Sequence, residues 1–286
     1  MKKSIKSIVA AAVATAALVA LVGCGGGASD AGPKVAVPSD PTNEGRALLL
    51  LQDQGLIKLA DGVGLTATAN DIVENPNNLE IVEMEAAAIP AAIADVDFAI
   101  INGNYAIGAG IDTATSLANE DPAGDAAQIY ANIIAVAAGQ ETSAKTQALV
   151  AALSTQKVAD YIAQTYNGAV VPAFSTSGDI PAATGDDTTI VVGASPAPHA
   201  EILALIADDL AAAGWTLKIM EFSDYIQPNV ALTEGELDAN YFQHISYLND
   251  YNAENNTDIV SAALIHFEPL GLYPGKTASL EGLTTL

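Results

Sequence analysis

The chain has 286 residues, half of them apolar and 15% charged, which allows one large domain or two modest lobes and excludes global disorder. Ten Lys and Arg stand against 34 Asp and Glu, a formal charge of -24 that repels phosphate backbones and so excludes nucleic acid as a partner. One cysteine, Cys24, leaves no intramolecular disulfide, no CxxC redox pair and no cysteine-rich zinc site.

The chain opens with a targeting segment. Lys2, Lys3 and Lys6 precede an apolar run over residues 8–22. That run is shorter than the roughly 20 residues needed to span a bilayer, so residues 1–23 read as a signal peptide. It ends in Leu21-Val22-Gly23-Cys24, which resembles a bacterial lipobox. Cleavage before Cys24 and acylation of its thiol and new amino group are the expectation. Residues 24–33, rich in glycine, would be a flexible leash to an extracytoplasmic membrane surface.

The remainder alternates strand and helix. Residues 34–37 read as a strand, 38–43 as turn chemistry and 44–54 as a helix. Strands follow at 79–82 and 98–101, with a helix near 86–93 between them. Another strand spans 133–137, and helical patterns cover 143–153 and 155–166. Residues 175–187 (STSGDIPAATGDD) read as a linker. A second strand, Pro-bearing turn and helix begins at 189, followed by strands at 216–221 and 259–265. Two such starts suggest two α/β lobes. The expected boundaries are a first lobe at 34–111, a crossing at 112–132, and a second lobe at 133–174 and 188–286.

Candidate binding residues sit at the ends of these elements. Arg46, the only arginine, falls in the first turn of a helix, where free N–H groups and the dipole favour an anion. By itself it is either a carboxylate fork or a solvated surface group. Asn102 and Asn104 directly follow an apolar strand, and Asn132 precedes one; each either ends a strand or faces a ligand at the strand termini. Phe242, His244 and Tyr247, with Tyr225 nearby in sequence, form either a core cluster or an aromatic pocket for an apolar or thioether side chain. Gly193-Ala194-Ser195-Pro196-Ala197 lacks the second glycine of a nucleophile elbow. The three histidines form no H-E-x-x-H, and neither a P-loop nor a Rossmann fingerprint occurs. Neither an enzyme nor a cofactor or metal is expected.

Long strings carry a resemblance: KVAVPSDPTNEGRALLLLQDQGLIKL, IVENPNNLEIVEMEAA, DVDFAIINGNYAIGAGI, YANIIAV, FSDYIQPNVAL and LDANYFQHISYL. Through them the chain resembles the methionine-binding lipoproteins of bacterial ABC importers. The resemblance implies an α/β, two-lobed periplasmic-binding-protein fold of type 2, with ligand closed between the lobes. It implies capture of L-methionine or a close relative and delivery to the membrane subunits of an importer. Arg46, with Asn43 beside it, would hold the ligand carboxylate. Asn102 and Asn132 would bind its polar backbone groups, and Tyr225, Phe242, His244 and Tyr247 would surround its side chain. The order departs from the family. There the segment like TTIVVGASPAPHAEIL follows the lipid anchor, and the segment like KVAVPSDPTNEGR follows SLEGL. The chain therefore reads as circularly permuted, with residues 175–187 joining the family's original termini. The cut is expected to open one of two lobe crossings and loosen the hinge. Because the permutation relocates the anchor, a surface lipoprotein serving adhesion or scaffolding stands as the alternative.

Overall fold

A computed structural model describes residues 32–124 and 126–286. The signal peptide, Cys24 and all of the leash except Gly32 and Pro33 lie outside the described residues. Among those described, no helix is long and apolar enough to cross a membrane.

The first lobe is laid down by β1 (Lys34–Pro38), α1 (Pro41–Asp53), β2 (Lys58–Leu59), β3 (Ile72–Glu74), β4 (Glu80–Met84), α2 (Ile89–Ala92), β5 (Phe98–Ile101), α3 (Gly103–Gly108) and β6 (Ala118–Asn119). The second follows as α4 (Ala126–Ile129), β7 (Asn132–Val136), α5 (Ala144–Leu153), α6 (Gln156–Tyr166), β8 (Val171–Pro172), β9 (Thr189–Ala194), α7 (Glu201–Leu205), α8 (Ala207–Ala212), β10 (Thr216–Glu221), α9 (Gln227–Thr233), β11 (Ala239–His244), α10 (Ile245–Asn255) and β12 (Val260–Phe267). A last strand, β13, covers Gly271–Pro274.

α1 begins three residues before the sequence suggests. Asp40 caps it by accepting from the Asn43 N–H at 3.0 Å, and Pro41 occupies the first turn, where its missing N–H costs nothing. The buried face of α1, with Leu48 and Leu51, joins Val35 and Val37 of β1 in one core. Removing either leucine side chain would cost about 2–5 kcal/mol through lost burial and the cavity left behind. The second core gathers Trp215, Tyr241, Leu149, Leu153 and Ile202 beneath its own sheet.

Among the described residues each lobe has one main sheet, in the orders β4-β1-β5-β13-β6 and β10-β9-β11-β7-β12-β8, and β2 pairs antiparallel with β3 in a separate two-stranded sheet. β1 pairs parallel with β4 and β5, and β9 pairs parallel with β10 and β11. The carboxyl ends of β1, β5 and β11 lead into the inter-lobe cleft, the usual place for a ligand in such sheets.

β13 corrects the expected domain boundaries. The sequence places all of 188–286 in the second lobe, yet β13 pairs antiparallel with β5, from Gly271↔Ile101 to Pro274↔Phe98, and also with β6. Leu270 and Leu272 fill the first-lobe core. Without β13, the buried strand β5 would have an unpaired edge. The first lobe also extends to β6, beyond the expected limit at 111.

The expected single crossing is wrong for the same reason. The chain passes between lobes twice, from β6 to β7 and from β12 to β13, and the passages run side by side. The Glu120 N–H donates to the Leu270 carbonyl at 3.1 Å, and the Leu117 N–H to the Leu272 carbonyl at 2.7 Å. Both ends of the described chain lie in the first lobe. Gly32 donates to the Asn78 carbonyl at 3.1 Å, while Asn77 exchanges side-chain hydrogen bonds of 2.7 and 2.8 Å with the Thr284 backbone.

Residues 175–188 adopt neither helix nor strand and lie against the second lobe. The Trp215 Nε1–H donates to the Pro181 carbonyl at 2.8 Å, and the Ser177 N–H to the Ser154 carbonyl at 2.7 Å.

Candidate functional site

A small cavity lies where the two lobes meet, and Asn43, Arg46, Asn102, Asn132, Tyr225, Phe242, His244 and Tyr247 all line it. From the first lobe come Asn43 and Arg46 on the opening turns of α1, and Asn102 at the end of β5. From the second come Asn132 at the start of β7, Tyr225 before α9, and Phe242, His244 and Tyr247 where β11 turns into α10. These residues are distant in sequence. The register places Asn132 opposite both His244 of β11 and His266 of β12.

The aromatic wall is continuous. Ring centroids of Tyr225 and Tyr247 are 5.8 Å apart, those of Tyr225 and Phe242 5.9 Å, and those of Phe242 and Tyr247 6.0 Å, with tilted or edge-on geometry. His244 caps α10 by accepting from the Tyr247 N–H at 3.1 Å. Burial, with Arg46 nearby, pushes His244 well below its ordinary value, so it is a neutral ring. Its Nε2 lies 3.4 Å from Asn43 Oδ1 across the cleft. The Tyr225 hydroxyl donates to Asn104 Oδ1 at 2.6 Å, and the Tyr105 hydroxyl to the Ser223 carbonyl at 3.3 Å. Thus the lobes are closed and hydrogen-bonded to each other beside the aromatic wall.

Arg46 differs from the expectation of a free fork. It is 4% exposed and already holds Glu120, through Nε at 2.9 Å and Nη2 at 2.5 Å. Nη2 also donates to the Glu268 carbonyl at 3.3 Å, and Nη1 to Asn43 Oδ1 at 3.3 Å. The guanidinium lies 4.2 Å from the centre of the Tyr130 ring. Of its five N–H groups, one on Nη1 has no partner among the described residues. Glu120 also accepts from the Leu270 N–H at 2.8 Å, so the fork ties α1 to both lobe crossings. Glu120 lies 74 residues from Arg46 in sequence, and no local pattern marks it.

Glu268 was also missed. It is 5% exposed, lines the cavity, and accepts from His266 Nε2–H at 2.5 Å. His266 Nδ1 in turn accepts from the Tyr241 hydroxyl, an assignment that follows from the ring having one proton. His199 Nε2 faces Asn132 Oδ1 at 2.9 Å and Glu268 Oε1 at 3.5 Å. Two acceptors there place the proton on Nε2 and leave the amide N–H groups of Asn132 as donors. Burial holds His199 and His266 at about 3, hence neutral, and pushes Glu268 above the usual carboxylate range. His199, His266 and Glu268 place their donor atoms within 4.8 Å of one another, and hydrogen bonds account for those atoms. A legible hint was the string IHFEPLGLY, in which a histidine and a glutamate interrupt an otherwise apolar run.

Gly103 opens α3 against this glutamate. A Cβ there would lie 2.7 Å from Glu268 Cβ and 2.9 Å from its Oε2. Among the described residues Asn102 Oδ1 is buried without a hydrogen-bond partner, while its Nδ2 donates to Asn43 Oδ1 at 2.9 Å.

Known proteins share this sequence in part. D-methionine-binding lipoprotein MetQ of Escherichia coli O157:H7 is 42% identical over 142 residues, 49% of this chain and 51% of that protein. Membrane lipoprotein TpN32 of Treponema pallidum is 40% identical over 144 residues, 50% of this chain and 53% of that protein. The chain thus spans about half the length of the curated relatives it matches. Among solved structures, a nutrient binding protein from Burkholderia cenocepacia bound to methionine is 43% identical, with a TM-score of 0.47, over 50% of this chain and 59% of that one. A family model described as NlpA lipoprotein matches residues 29–174 and 190–285. With both lobes covered by that match, the chain belongs to the NlpA lipoprotein family.

Proposed function

We propose that this chain is a lipid-anchored, extracytoplasmic substrate-binding protein. It captures methionine between its lobes and presents it to the membrane subunits of an ABC importer. The observation that carries this reading is the joining of Arg46, Asn43, Asn102 and Asn132 with Tyr225, Phe242, His244 and Tyr247 around one inter-lobe cavity. Its polar end suits a carboxylate and an ammonium. Its aromatic wall suits a thioether, by area burial and sulfur–aromatic contact. The relatives named as D-methionine-binding lipoproteins support methionine as the ligand. With the histidines neutral and hydrogen-bonded, the site binds without catalysis, holding the ligand until the lobes reopen.

The permuted order belongs to the same proposal. Residues 32 and 284 meet at neighbouring asparagines, so the family's connection from its SLEGL string to its KVAVP strand can be opened there, and the original termini joined through residues 175–187, with the loss of few contacts. Matching each relative over about half its length is what exchanged halves give in a comparison that follows chain order.

Calorimetric titration of the whole chain with L- and D-methionine, leucine, glutamine and lysine tests the reading. The expected result is a 1:1 complex with methionine at micromolar affinity or better, about -8 kcal/mol or stronger. Equal or tighter binding of leucine, or no methionine binding, refutes it.

A further inference from the structure

The cavity contains one acidic and one permanently cationic side chain among its lining residues, Glu268 and Arg46, in otherwise uncharged surroundings. Arg46 has one N–H left for a ligand, and the amide N–H groups of Asn132 are donors. Together they serve the negative end of a ligand. We propose that Glu268, with Asn102 Oδ1 beside it, is the acceptor site for the ligand's protonated amine, so the cavity selects zwitterions over acids that lack the amine.

This deepens the methionine reading and rests on it. Glu268 is held for the task by donors that approach from several sides. Tyr241 O–H donates to His266, whose Nε2–H donates to Oε1, and the Asn104 backbone N–H also donates to this carboxyl; burial still raises Glu268 above its ordinary value, a cost that a bound cation would offset. Gly103 permits the close approach, since any side chain there would collide with Glu268. A buried carboxylate hydrogen-bonded by uncharged partners lacks a counter-charge of its own; a bound ammonium supplies one. Asn102 supplies the independent indication. It is 6% exposed, its amide N–H is committed to Asn43, and its acceptor oxygen has no protein partner among the described residues. Buried acceptors are normally satisfied, and an ammonium has three N–H groups to offer. Arg46 keeps its own carboxylate, Glu120, so Glu268 is not needed to neutralise it.

The test compares L-methionine with its 2-hydroxy analogue, in which a hydroxyl replaces the amine, by calorimetry on the whole chain. The parent should bind methionine at least about 30-fold more tightly than the analogue, as expected for losing a hydrogen-bonded buried charge. Glu268→Gln should weaken methionine by a similar factor and the analogue by less than about 3-fold. A residue that merely supports the fold would shift both ligands equally. Should Glu268→Gln fail to fold, the parent's preference between the two ligands still decides. A parent that binds both ligands equally overturns the inference alone, as does a folded variant that loses both or neither. A parent that binds no methionine overturns the proposed function and this inference together.

Discussion

Replacing Glu120 with glutamine probes the clasp at the hinge. Its carboxylate receives three hydrogen bonds, from Arg46 Nε at 2.9 Å, Arg46 Nη2 at 2.5 Å and the Leu270 N–H at 2.8 Å. Glutamine retains one acceptor oxygen but removes the charge and turns an amide N–H toward existing donors. Arg46 is 4% exposed and cannot shed its proton, so the guanidinium would remain buried without its counter-ion. Breaking a buried pair from one side costs about 3–5 kcal/mol, and the retained oxygen places this case near 3. At roughly 2–4 °C per kcal/mol for a chain of this size, Tm should fall by about 6–12 °C. Removing both charges, with Arg46→Met added to Glu120→Gln, should recover most of that loss, because the pair then leaves no orphan. Saturating methionine should raise Tm more in the single variant than in the parent, since the ligand carboxylate gives Arg46 a new partner. Thermal unfolding of the three proteins, with and without ligand, reads all of this. A single variant within about 1 kcal/mol of the parent, or a double variant no more stable than the single, refutes the buried-clasp account.

Acid should destabilise the fold through its buried histidines. Burial holds His199 and His266 at about 3 when folded, against an ordinary imidazole value of 6.5 when unfolded, so between these values the unfolded chain binds protons that the folded chain does not. Their contribution is complete above pH 6.5 and is lost as pH falls toward 3, at roughly 1.4 kcal/mol per pH unit for each. Glu268, raised by burial, acts in the opposite sense, so His199→Gln is compared with the parent by urea unfolding between pH 6 and 4. Its slope should be lower by about one histidine, and an unchanged slope would show that His199 is already charged. Restoring family order should leave lobe opening unchanged, because both hinge passages are present; small-angle scattering that shows the permuted chain opening wider without ligand would contradict this. Mass spectrometry of membrane-extracted protein should find acylated Cys24 at the N-terminus, and a secreted product starting downstream would remove the anchor from the proposal.

Local chemistry made much of the site legible. Ligand-facing groups in an open α/β sheet lie where strands end and helices begin, and those places carry short-range marks. Asp40 and Pro41 announce the start of α1 and hence Arg46; the break from apolar strand to Asn102 announces the end of β5; His244 stands where β11 gives way to α10. Residues close in sequence marked these positions, so the sequence alone suggested two α/β lobes and left each of these residues open between a structural and a ligand-facing role; the family resemblance assigned the eight to one site, and all eight line one cavity. Tertiary structure alone decided which groups meet across long intervals. β12 and β13 are both apolar and only three residues apart, yet β13 completes the first sheet because the edge of β5 lies there. Arg46 finds Glu120 across 74 residues, and His199 lies within 3.5 Å of Glu268, which is 69 positions further along the chain. Such pairings depend on how two lobes are brought together in space. A side chain's nearest charge is set by that approach, and nothing in its own neighbourhood of sequence records it.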